Sequence, residues 1–313
     1  MTVAAAVQVQ GLRKRFGSVG AVEGIGFAVA PGEIFGLVGP DGAGKTTTMR
    51  MLAGVMRPDA GSVVVDGVDV VAEPERAKRH VSYMPQRFGL YEDLTVAENI
   101  GFYAELFEVP RAEGQARAGR LLAASNMDAF TRRLAGQLSG GMKQKLGLTC
   151  ALVHAPRVLL LDEPTTGVDP VSRREFWQIL YDLRAEGVAM VISTAYLDEA
   201  ERCDRLALLD HGRVMHCDTP ARLRQRMPGA IVRVSSDRAR ALLPALRSLP
   251  GVEGTLLVGD GLHLHVDDAA RRLPEIAAAA ARAGVAVDAL AAVEPTVEDL
   301  FVALLEHGAA EAA

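Results

Sequence analysis

The chain of 313 residues is long enough for one large α/β domain and a smaller second domain. Its 34 Lys and Arg residues against 39 Asp and Glu residues give a formal net charge of -5, which argues against a protein that coats nucleic acid through bulk charge. The sequence has no run near the roughly 18 apolar residues that span a bilayer. Because Met1–Val9 also lacks a secretory signal pattern, we expect a cytosolic protein.

The chain up to about Thr219 carries apolar runs that are typical of buried parallel strands. Strands that are covered on both faces lack the alternation of apolar and polar residues, so these runs predict a parallel sheet packed between helices. A mostly helical insertion is expected from Leu94 to about Met127. The predicted strands are Ile34–Val38, Val158–Leu161 and Val188–Ser193, and the predicted helices are Lys45–Leu52, 142–153 and 172–186.

Beyond Thr219 the pattern changes to a short linker helix over 220–229 and then to strand, helix, strand, strand, helix, strand. This order predicts a small ferredoxin-like domain, with the hairpin turn at Gly259-Asp260-Gly261. A last helix is predicted from Pro295 to just before Gly308, with its apolar residues on one face. The predicted strands are 231–235, 251–258, 262–266 and 285–291, and the predicted helices are 239–249 and 269–282.

One glycine-rich segment has the pattern of a phosphate-binding loop. Gly39-Pro40-Asp41-Gly42-Ala43-Gly44-Lys45-Thr46 fits G-x-x-x-x-G-K-[ST] and lies between a buried strand and a helix. Glycines let backbone N–H groups surround a phosphate, and the helix N-terminus adds positive potential. We expect Lys45 to bridge the β- and γ-phosphates of ATP and the Thr46 hydroxyl to bind Mg²⁺, with Thr47 completing the ATP-binding set.

Two acidic residues follow the second predicted strand directly. Asp162 at the end of the strand is suited to hold Mg²⁺ through water, and Glu163 is suited to polarise the attacking water in line with the γ-phosphate. The pair is a weak signal by itself and a strong one beside a phosphate loop. The alternative is a simple helix N-cap acid.

A second glycine turn, Leu138-Ser139-Gly140-Gly141, precedes the helix predicted over 142–153. Its free N–H groups form another anion site. Because the first loop already surrounds the phosphates of one nucleotide, we interpret this turn as serving a nucleotide held by another copy or a partner. An ordinary capped helix is an equal alternative.

Together these motifs resemble the nucleotide-binding subunit of ATP-binding cassette (ABC) transporters over about residues 7–220. The resemblance implies a P-loop ABC ATPase fold with a parallel sheet core, an antiparallel β subdomain and a helical subdomain at about 94–155. It implies domains over 1–220 and 230–313 joined by a linker at 221–229. It also implies that Phe16 stacks on adenine, that Gln86 senses Mg²⁺ and contacts the membrane partner, that Asp169 lies at a dimer interface, and that Ser139–Gly141 cap the γ-phosphate of the opposite subunit.

Two further segments narrow the resemblance. Glu294–Val302 is similar to the C-terminal extension of daunorubicin-resistance-type exporter ATPases, and Tyr83–Val96 resembles the same group, especially the first half of tandem-cassette exporters of the YbhF type. This implies an ATPase that energises an ABC-2-type permease from the inner face of the cell membrane, as a homodimer or heterodimer and without nucleic acid. The alternative is a soluble ABC ATPase that acts on ribosomes or DNA.

Aromatic residues are concentrated in one segment. Six of the fifteen lie between Tyr83 and Phe107. Since aromatic side chains are favoured anchors at interfaces, this segment is a candidate contact with a permease. Packing inside the helical subdomain is an equal alternative.

Two positions depart from the family pattern. Ala195 stands where histidine is usual in the switch segment and cannot hydrogen-bond the γ-phosphate, and Asp41 stands where asparagine is common. We expect a slow ATP site on this chain, whereas the alternative is that Glu163 alone suffices in a working homodimer. His263 and His265 share one strand face, and we interpret them as packing residues because a zinc site would need two further ligands.

Overall fold

The computed structural model describes residues 4–259 and 261–311, with side chains up to Leu305. The chain divides into two compact units. The first contains the residues up to Tyr196 together with Cys203–Cys217, and the second contains Leu197–Arg202 together with the chain from Asp218 onward. Within the described residues, no helix is long and apolar enough to cross a membrane.

The elements are numbered in chain order. The strands up to Asp218 are β1 (Val7–Phe16), β2 (Val19–Val29), β3 (Ile34–Val38), β4 (Ala60–Val65), β5 (Val68–Asp69), β6 (Val81–Met84), β7 (Val158–Asp162), β8 (Ala189–Thr194), β9 (Arg205–Asp210) and β10 (Arg213–Asp218). The helices up to Ala200 are α1 (Lys45–Leu52), α2 (Pro74–Ala77), α3 (Val96–Leu106), α4 (Arg111–Ala124), α5 (Gly140–Leu152), α6 (Pro170–Ala185) and α7 (Leu197–Ala200), with single 3₁₀ turns at Asp128–Phe130 and Ala135–Gln137. The remaining elements are α8 (Pro220–Arg224), β11 (Ala230–Ser235), α9 (Ala239–Arg247), β12 (Val252–Val258), β13 (Gly261–Val266), α10 (Ala269–Arg282), β14 (Ala289–Val293) and α11 (Val297–Glu311).

The centre of the first unit is a six-stranded sheet in the order β10-β9-β3-β8-β7-β6. Strands β9, β3, β8, β7 and β6 pair in parallel. All residues of β3, β7 and β8 are buried, which confirms the predicted parallel core. Because parallel strands end at the same edge, the segments that follow β3, β6, β7 and β8 meet there, and this edge carries the candidate site.

Two smaller parts complete the first unit. An antiparallel sheet has the order β2-β1-β4-β5, and helices α3, α4 and α5 pack around a separate apolar core that includes Val96, Ile100 and Leu146. The start of α3 is fixed by a capping box in which Thr95 and Glu98 bond each other's backbone N–H. The expected ABC ATPase architecture is therefore confirmed.

The second unit contains an antiparallel sheet in the order β12-β13-β11-β14, with α9 and α10 packed on an apolar core from its strands. With the chain order β11-α9-β12-β13-α10-β14, this is the predicted ferredoxin-like fold. His263 and His265 are buried as expected of packing residues: His263 Nδ1 lies 3.0 Å from Asp299 Oδ1, and His265 Nε2 lies 2.7 Å from the Pro228 carbonyl oxygen. No group of three or more His, Cys, Asp or Glu side chains that could hold a metal ion occurs in the described part of the chain.

The largest differences from the predicted boundaries in the second unit occur in three elements. The linker helix ends at Arg224 rather than continuing to Gly229, and the last strand begins at Ala289 because Val285 turns into the apolar core instead. The last helix begins at Val297, since Thr296 and Asp299 form reciprocal capping bonds that place Pro295 outside it. It continues through Gly308 to Glu311. The middle of the predicted hairpin turn, Asp260, lies outside the described residues.

Candidate nucleotide site

The predicted phosphate loop joins the end of β3 to the start of α1, and its glycines are required by the backbone geometry. Gly44 has a φ of 96°, and a Cβ atom there would lie 2.4 Å from the Ala21 carbonyl oxygen. A Cβ atom on Gly39 would lie 2.3 Å from the Leu209 carbonyl oxygen. Side chains at either position would displace the neighbouring backbone, so the loop keeps its shape only with glycine.

Lys45 is the first residue of α1 and is only 4% exposed. Its Nζ donates to the carbonyl oxygens of Gly39 at 2.8 Å and Pro40 at 3.0 Å. It also forms an ion pair with Glu163 Oε1 at 3.2 Å. The charge of Lys45 is thus held at the centre of the loop, where a phosphate would approach.

Asp162 ends β7, and three hydroxyl groups from three different elements donate to its carboxylate. Thr46 Oγ1 and Ser193 Oγ donate to Oδ1 at 3.1 and 2.6 Å, and the Tyr83 hydroxyl donates to Oδ2 at 3.1 Å. Asp162 is 1% exposed, and a carboxylate this deeply buried needs such donors. Burial raises the pKa of Tyr83 well above its ordinary value, and the neighbouring Asp162 charge raises it further.

Tyr83 and Ser193 were not predicted as site residues. Both reach Asp162 because β6 and β8 flank β7 in the sheet, with Tyr83 paired to Leu160 and Ser193 paired to Asp162. Strand order cannot be read from local patterns, so the sequence carried no direct signal for these two contacts. The one indirect signal was that Tyr83 and Ser193 are polar side chains within mainly apolar strands.

Glu163 leaves the strand with a φ of 49°, a backbone conformation that is uncommon for a residue with a side chain. Its N–H lies 3.0 Å from Ser193 Oγ and 3.1 Å from the Ser193 carbonyl oxygen. Its Oε2 accepts a bond from Gln86 Nε2 at 3.1 Å. This turn directs the Glu163 carboxylate toward Lys45 and Gln86 and away from the interior of the sheet.

These groups border an open cleft of about 500 Å³, which we call the nucleotide cleft. Phe16, at the end of β1, is 50% exposed there, and Lys14 Nζ lies 5.9 Å from the centre of its ring. The cleft lining does not include Gly39, Pro40, Ala43 or Asp162. The lining residues are Phe16, Ala21, Asp41, Gly42, Gly44, Lys45, Thr46, Thr47, Gln86 and Glu163.

Comparisons with known proteins identify the family of this chain. The ABC transporter family matches residues 22–166. Probable multidrug ABC transporter ATP-binding protein YbhF of Escherichia coli is 46% identical over 264 residues, which are 83% of this chain and 46% of YbhF. Daunorubicin/doxorubicin resistance ATP-binding protein DrrA of Streptomyces peucetius is 34% identical over 309 residues, which are 97% of this chain and 93% of DrrA. The chain belongs to the ATP-binding proteins of ABC transporters.

A solved ATP-binding subunit of an ABC transporter has the same fold. It is 31% identical with a TM-score of 0.65, and the match covers 71% of this chain and 92% of that chain. The chain spans about half of the length of YbhF, because the match covers 46% of that protein. The predicted resemblance to ABC ATPases of the DrrA and YbhF type is confirmed, and the chain contains an ABC-type ATP-binding domain.

The second glycine turn of this ABC ATPase lies at the start of α5, outside the residues that line the nucleotide cleft. Ser139 Oγ accepts the Met142 N–H at 3.3 Å as an N-cap. A Cβ atom on Gly141 would lie 2.4 Å from the side chain of Ser172 in α6, so α5 and α6 approach closely here. Asp169 caps α6 by accepting the Val171 and Ser172 N–H groups, and hydrogen bonds from the Ser172 side chain and from these N–H groups lower the pKa of Asp169. The turn and Asp169 are thus brought together, apart from the phosphate loop.

Ala195, the predicted switch position, follows β8 and is exposed. The preceding Thr194 Oγ1 accepts the Tyr196 N–H at 2.9 Å, and the Arg173 guanidinium lies 4.8 Å from the centre of the Tyr196 ring. Ala195 does not belong to the lining of the nucleotide cleft. It has only a methyl group to offer to a nucleotide.

The aromatic segment of the ABC ATPase divides between its interior and its surface. Phe88 and Tyr103 pack against the core of the helical part with ring centres 5.1 Å apart, whereas Tyr91 and Phe102 are 47% and 37% exposed and make an edge contact. A groove of about 620 Å³, which we call the apolar groove, runs beside them. Its apolar lining includes Val55, Phe88, Tyr103, Leu106 and Phe107, and its polar lining includes Glu75, Lys78 and Tyr83.

Proposed function

We propose that this chain is the ATP-hydrolysing subunit of an exporter whose membrane path is a separate ABC-2-type permease. The observation that carries the proposal is the meeting of Lys45, Thr46, Asp162, Glu163 and Gln86 at one cleft. The names of two relatives support an export role: YbhF is named as a probable multidrug transporter protein, and DrrA is named for daunorubicin/doxorubicin resistance. We propose a location on the inner face of the cell membrane and no binding of nucleic acid.

The proposed metal ligands fit Mg²⁺. Thr46, Asp162 and Gln86 offer a hydroxyl, a carboxylate and an amide oxygen, and Mg²⁺ prefers oxygen donors of this kind. Gln86 directs its amide nitrogen at Glu163, which leaves the amide oxygen for the cation. When bound with ATP, Mg²⁺ supplies positive charge against the phosphate oxygens.

The chain's own residues then have distinct roles. The exposed Phe16 ring is suited to stack on adenine, and the glycine loop from Gly39 to Thr47 offers N–H groups to the phosphates. Lys45 exchanges its Glu163 partner for the β- and γ-phosphates. Glu163, once released, is the base that orients the attacking water, and Gln86 keeps this carboxylate in line.

We propose that the Leu138-Ser139-Gly140-Gly141 turn and Asp169 complete the ATP site of a second cassette, either another copy or a related ATPase. Their position outside the nucleotide cleft and the close approach of α5 and α6 support this role. A Ser139→Arg variant should then abolish hydrolysis while leaving ATP binding by the isolated chain intact. Hydrolysis at the wild-type rate by this variant would contradict a shared site.

We also propose that Ala195 and Asp41 make this chain's own site slow, while its second turn serves a faster partner site. The exposed methyl group of Ala195 and the Asp41 carboxylate in the cleft lining support this. The ATPase rate of Ala195→His tests it directly, because histidine restores a donor for the γ-phosphate. No increase would favour the alternative that Glu163 suffices in a homodimer.

The apolar groove is the proposed permease contact, since Leu106 is 61% exposed and Val55 is 68% exposed beside it. Leu106→Glu should reduce co-purification with a co-expressed permease encoded next to this chain. Leu257→Glu, at an exposed leucine of the second unit, is the matched control. Equal recovery of the permease with both variants would argue for the soluble ATPase alternative.

The division of labour between a cassette at 1–220, a linker at 221–229 and an accessory domain at 230–313 also remains a proposal. Glu201 contacts Arg224 and also the first turn of α11. Since Glu201 is only six residues after Ala195 in the chain, the accessory domain is tied to a residue close to the predicted switch position. Deleting the residues after Gly229 and measuring oligomer size and ATPase rate distinguishes regulation from dimer formation.

A further inference from the structure

We propose that Tyr83 is a positioning residue for Asp162, which fixes this carboxylate for Mg²⁺ and thereby strengthens the binding of Mg²⁺-ATP. This inference rests on the proposed role of Asp162 as a magnesium ligand. The Tyr83 hydroxyl lies 3.1 Å from Asp162 Oδ2, while Thr46 and Ser193 reach only Oδ1. Tyr83 thus restrains the second oxygen of Asp162.

The direction of this hydrogen bond follows from the chemistry of the two groups. An ionised carboxylate only accepts hydrogen bonds, and a phenol with an ordinary pKa of about 10 is protonated at neutral pH, so the Tyr83 hydroxyl donates. Asp162 is 1% exposed, and water therefore cannot replace a lost donor easily. Partners that orient a metal-binding carboxylate in this way commonly control metal affinity.

Tyr83 is held firmly enough to orient its neighbour. It lies in β6, which pairs with β7 in parallel from Val81 to Met84, so its backbone is fixed relative to Asp162. Its ring is half-buried and packs against the core beneath β6. Oδ1 is restrained from α1 and β8, and Oδ2 from β6, so the plane of the carboxylate is fixed from both sides.

Tyr83 also lines the apolar groove that contains Phe107 and Leu106. One residue therefore borders the proposed permease contact and hydrogen-bonds the proposed magnesium ligand. Gln86, three residues later, was the expected link between these two places. Tyr83 provides a second link, and this one acts on the metal ligand directly.

The experiment compares Tyr83→Phe with Tyr103→Phe. Both changes remove one phenol hydroxyl from the same groove, but the Tyr103 hydroxyl donates to the Gly89 carbonyl oxygen at 2.7 Å. The affinity for a fluorescent, non-hydrolysable ATP analogue is measured with Mg²⁺ and with EDTA, and the ratio of the two gives the strengthening by Mg²⁺. We expect this ratio to fall about tenfold in Tyr83→Phe and to stay at the wild-type value in Tyr103→Phe.

The affinity in EDTA and the thermal unfolding midpoint should match wild type in both variants, because neither ring is removed. A fall of the ratio by less than about threefold, an equal fall in Tyr103→Phe, or a loss confined to the EDTA measurement overturns the positioning role. If the wild-type protein binds the analogue more tightly with Mg²⁺ but does not hydrolyse ATP, the proposed function is wrong and this inference stands. If the affinity of the wild-type protein for the analogue is the same with Mg²⁺ and with EDTA, this inference is wrong.

Discussion

Glu163 Oε1 lies 3.2 Å from Lys45 Nζ in the nucleotide cleft, and both side chains are largely shielded from water. Lys45 donates to two loop carbonyl oxygens at the same time, and Glu163 accepts from Gln86. The proposed phosphate-binding cation and the proposed water-orienting carboxylate are therefore paired with each other. We expect ATP binding to replace this ion pair by contacts between Lys45 and phosphate.

Replacing Glu163 by Gln should separate binding from hydrolysis. Without the ion pair Lys45 is free to meet phosphate, so the affinity for ATP should rise about threefold, while the loss of the base should reduce the hydrolysis rate at least about 100-fold. Equilibrium binding and phosphate release measure the two effects. Glu92→Gln, which removes an exposed partner of Lys143, is the control and should change neither. Unaltered hydrolysis in Glu163→Gln would contradict the role of this carboxylate.

Two glycines of the phosphate loop should differ in their tolerance of alanine. Gly42 has a φ of 81° and open space where a Cβ atom would lie, whereas the Cβ atom of alanine at position 44 would meet the Ala21 carbonyl oxygen. Gly42→Ala should cost about 1 kcal/mol of unfolding free energy from backbone strain alone, and Gly44→Ala roughly 3 kcal/mol because the contact is added. Urea unfolding of the nucleotide-free proteins measures both, and equal losses would mean that the loop shifts to relieve the contact.

The stability of the first unit should fall in mild acid because of His154. The His154 ring stacks on Phe107 with ring centres 3.9 Å apart. Burial lowers the pKa of His154 to about 4; a backbone contact to Val81 raises this pKa, and the Arg117 charge lowers it further. The unfolded chain takes up this proton near pH 6.5 and the folded chain does not, so stability is complete above about pH 6.5 and declines toward pH 4. The decline should reach roughly 2 kcal/mol once partial exposure is allowed for.

The measurement is the free energy of unfolding between pH 4 and 7 in wild type and in His154→Leu, which cannot titrate. The variant should show a flatter pH profile, whatever its stability at pH 7. His211→Ala removes a histidine whose side chain is 92% exposed and should keep the wild-type slope. A wild-type slope in His154→Leu would show that other groups cause the acid sensitivity.

The second unit should lose stability when Glu201 is replaced. Glu201 Oε1 accepts the Val297 N–H at 2.9 Å at the start of α11, and its other oxygen pairs with Arg224 in α8. Glu201→Ala removes both contacts and should cost about 1 to 2 kcal/mol, whereas Glu201→Gln keeps an acceptor for Val297 and should cost less than about 1 kcal/mol. Hydrogen exchange in the first turn of α11 reports the loss. Equal exchange in both variants and wild type would mean that Thr296 and Asp299 alone cap the helix.

Local sequence patterns were sufficient to predict the features that depend on residues close together in the chain. The glycines from Gly39 to Gly44 with Lys45 and Thr46, and the acids Asp162 and Glu163 after an apolar run, identify a nucleotide site because backbone conformation and strand ends are encoded by adjacent residues. The order of strand and helix patterns in 231–291 likewise predicted the ferredoxin-like fold. Boundaries were less secure, since Val285 turned into the core and Thr296 capped the last helix.

The sequence by itself thus determined the family and predicted the phosphate loop with its acidic partners. Only the tertiary structure brought Tyr83 and Ser193 to the two oxygens of Asp162, paired Glu163 with Lys45, and grouped Leu197–Arg202 with the second unit. The reason is that these relationships join residues about 30 to more than 100 positions apart. Their meeting depends on strand order and on the packing of whole elements, which no local spacing encodes.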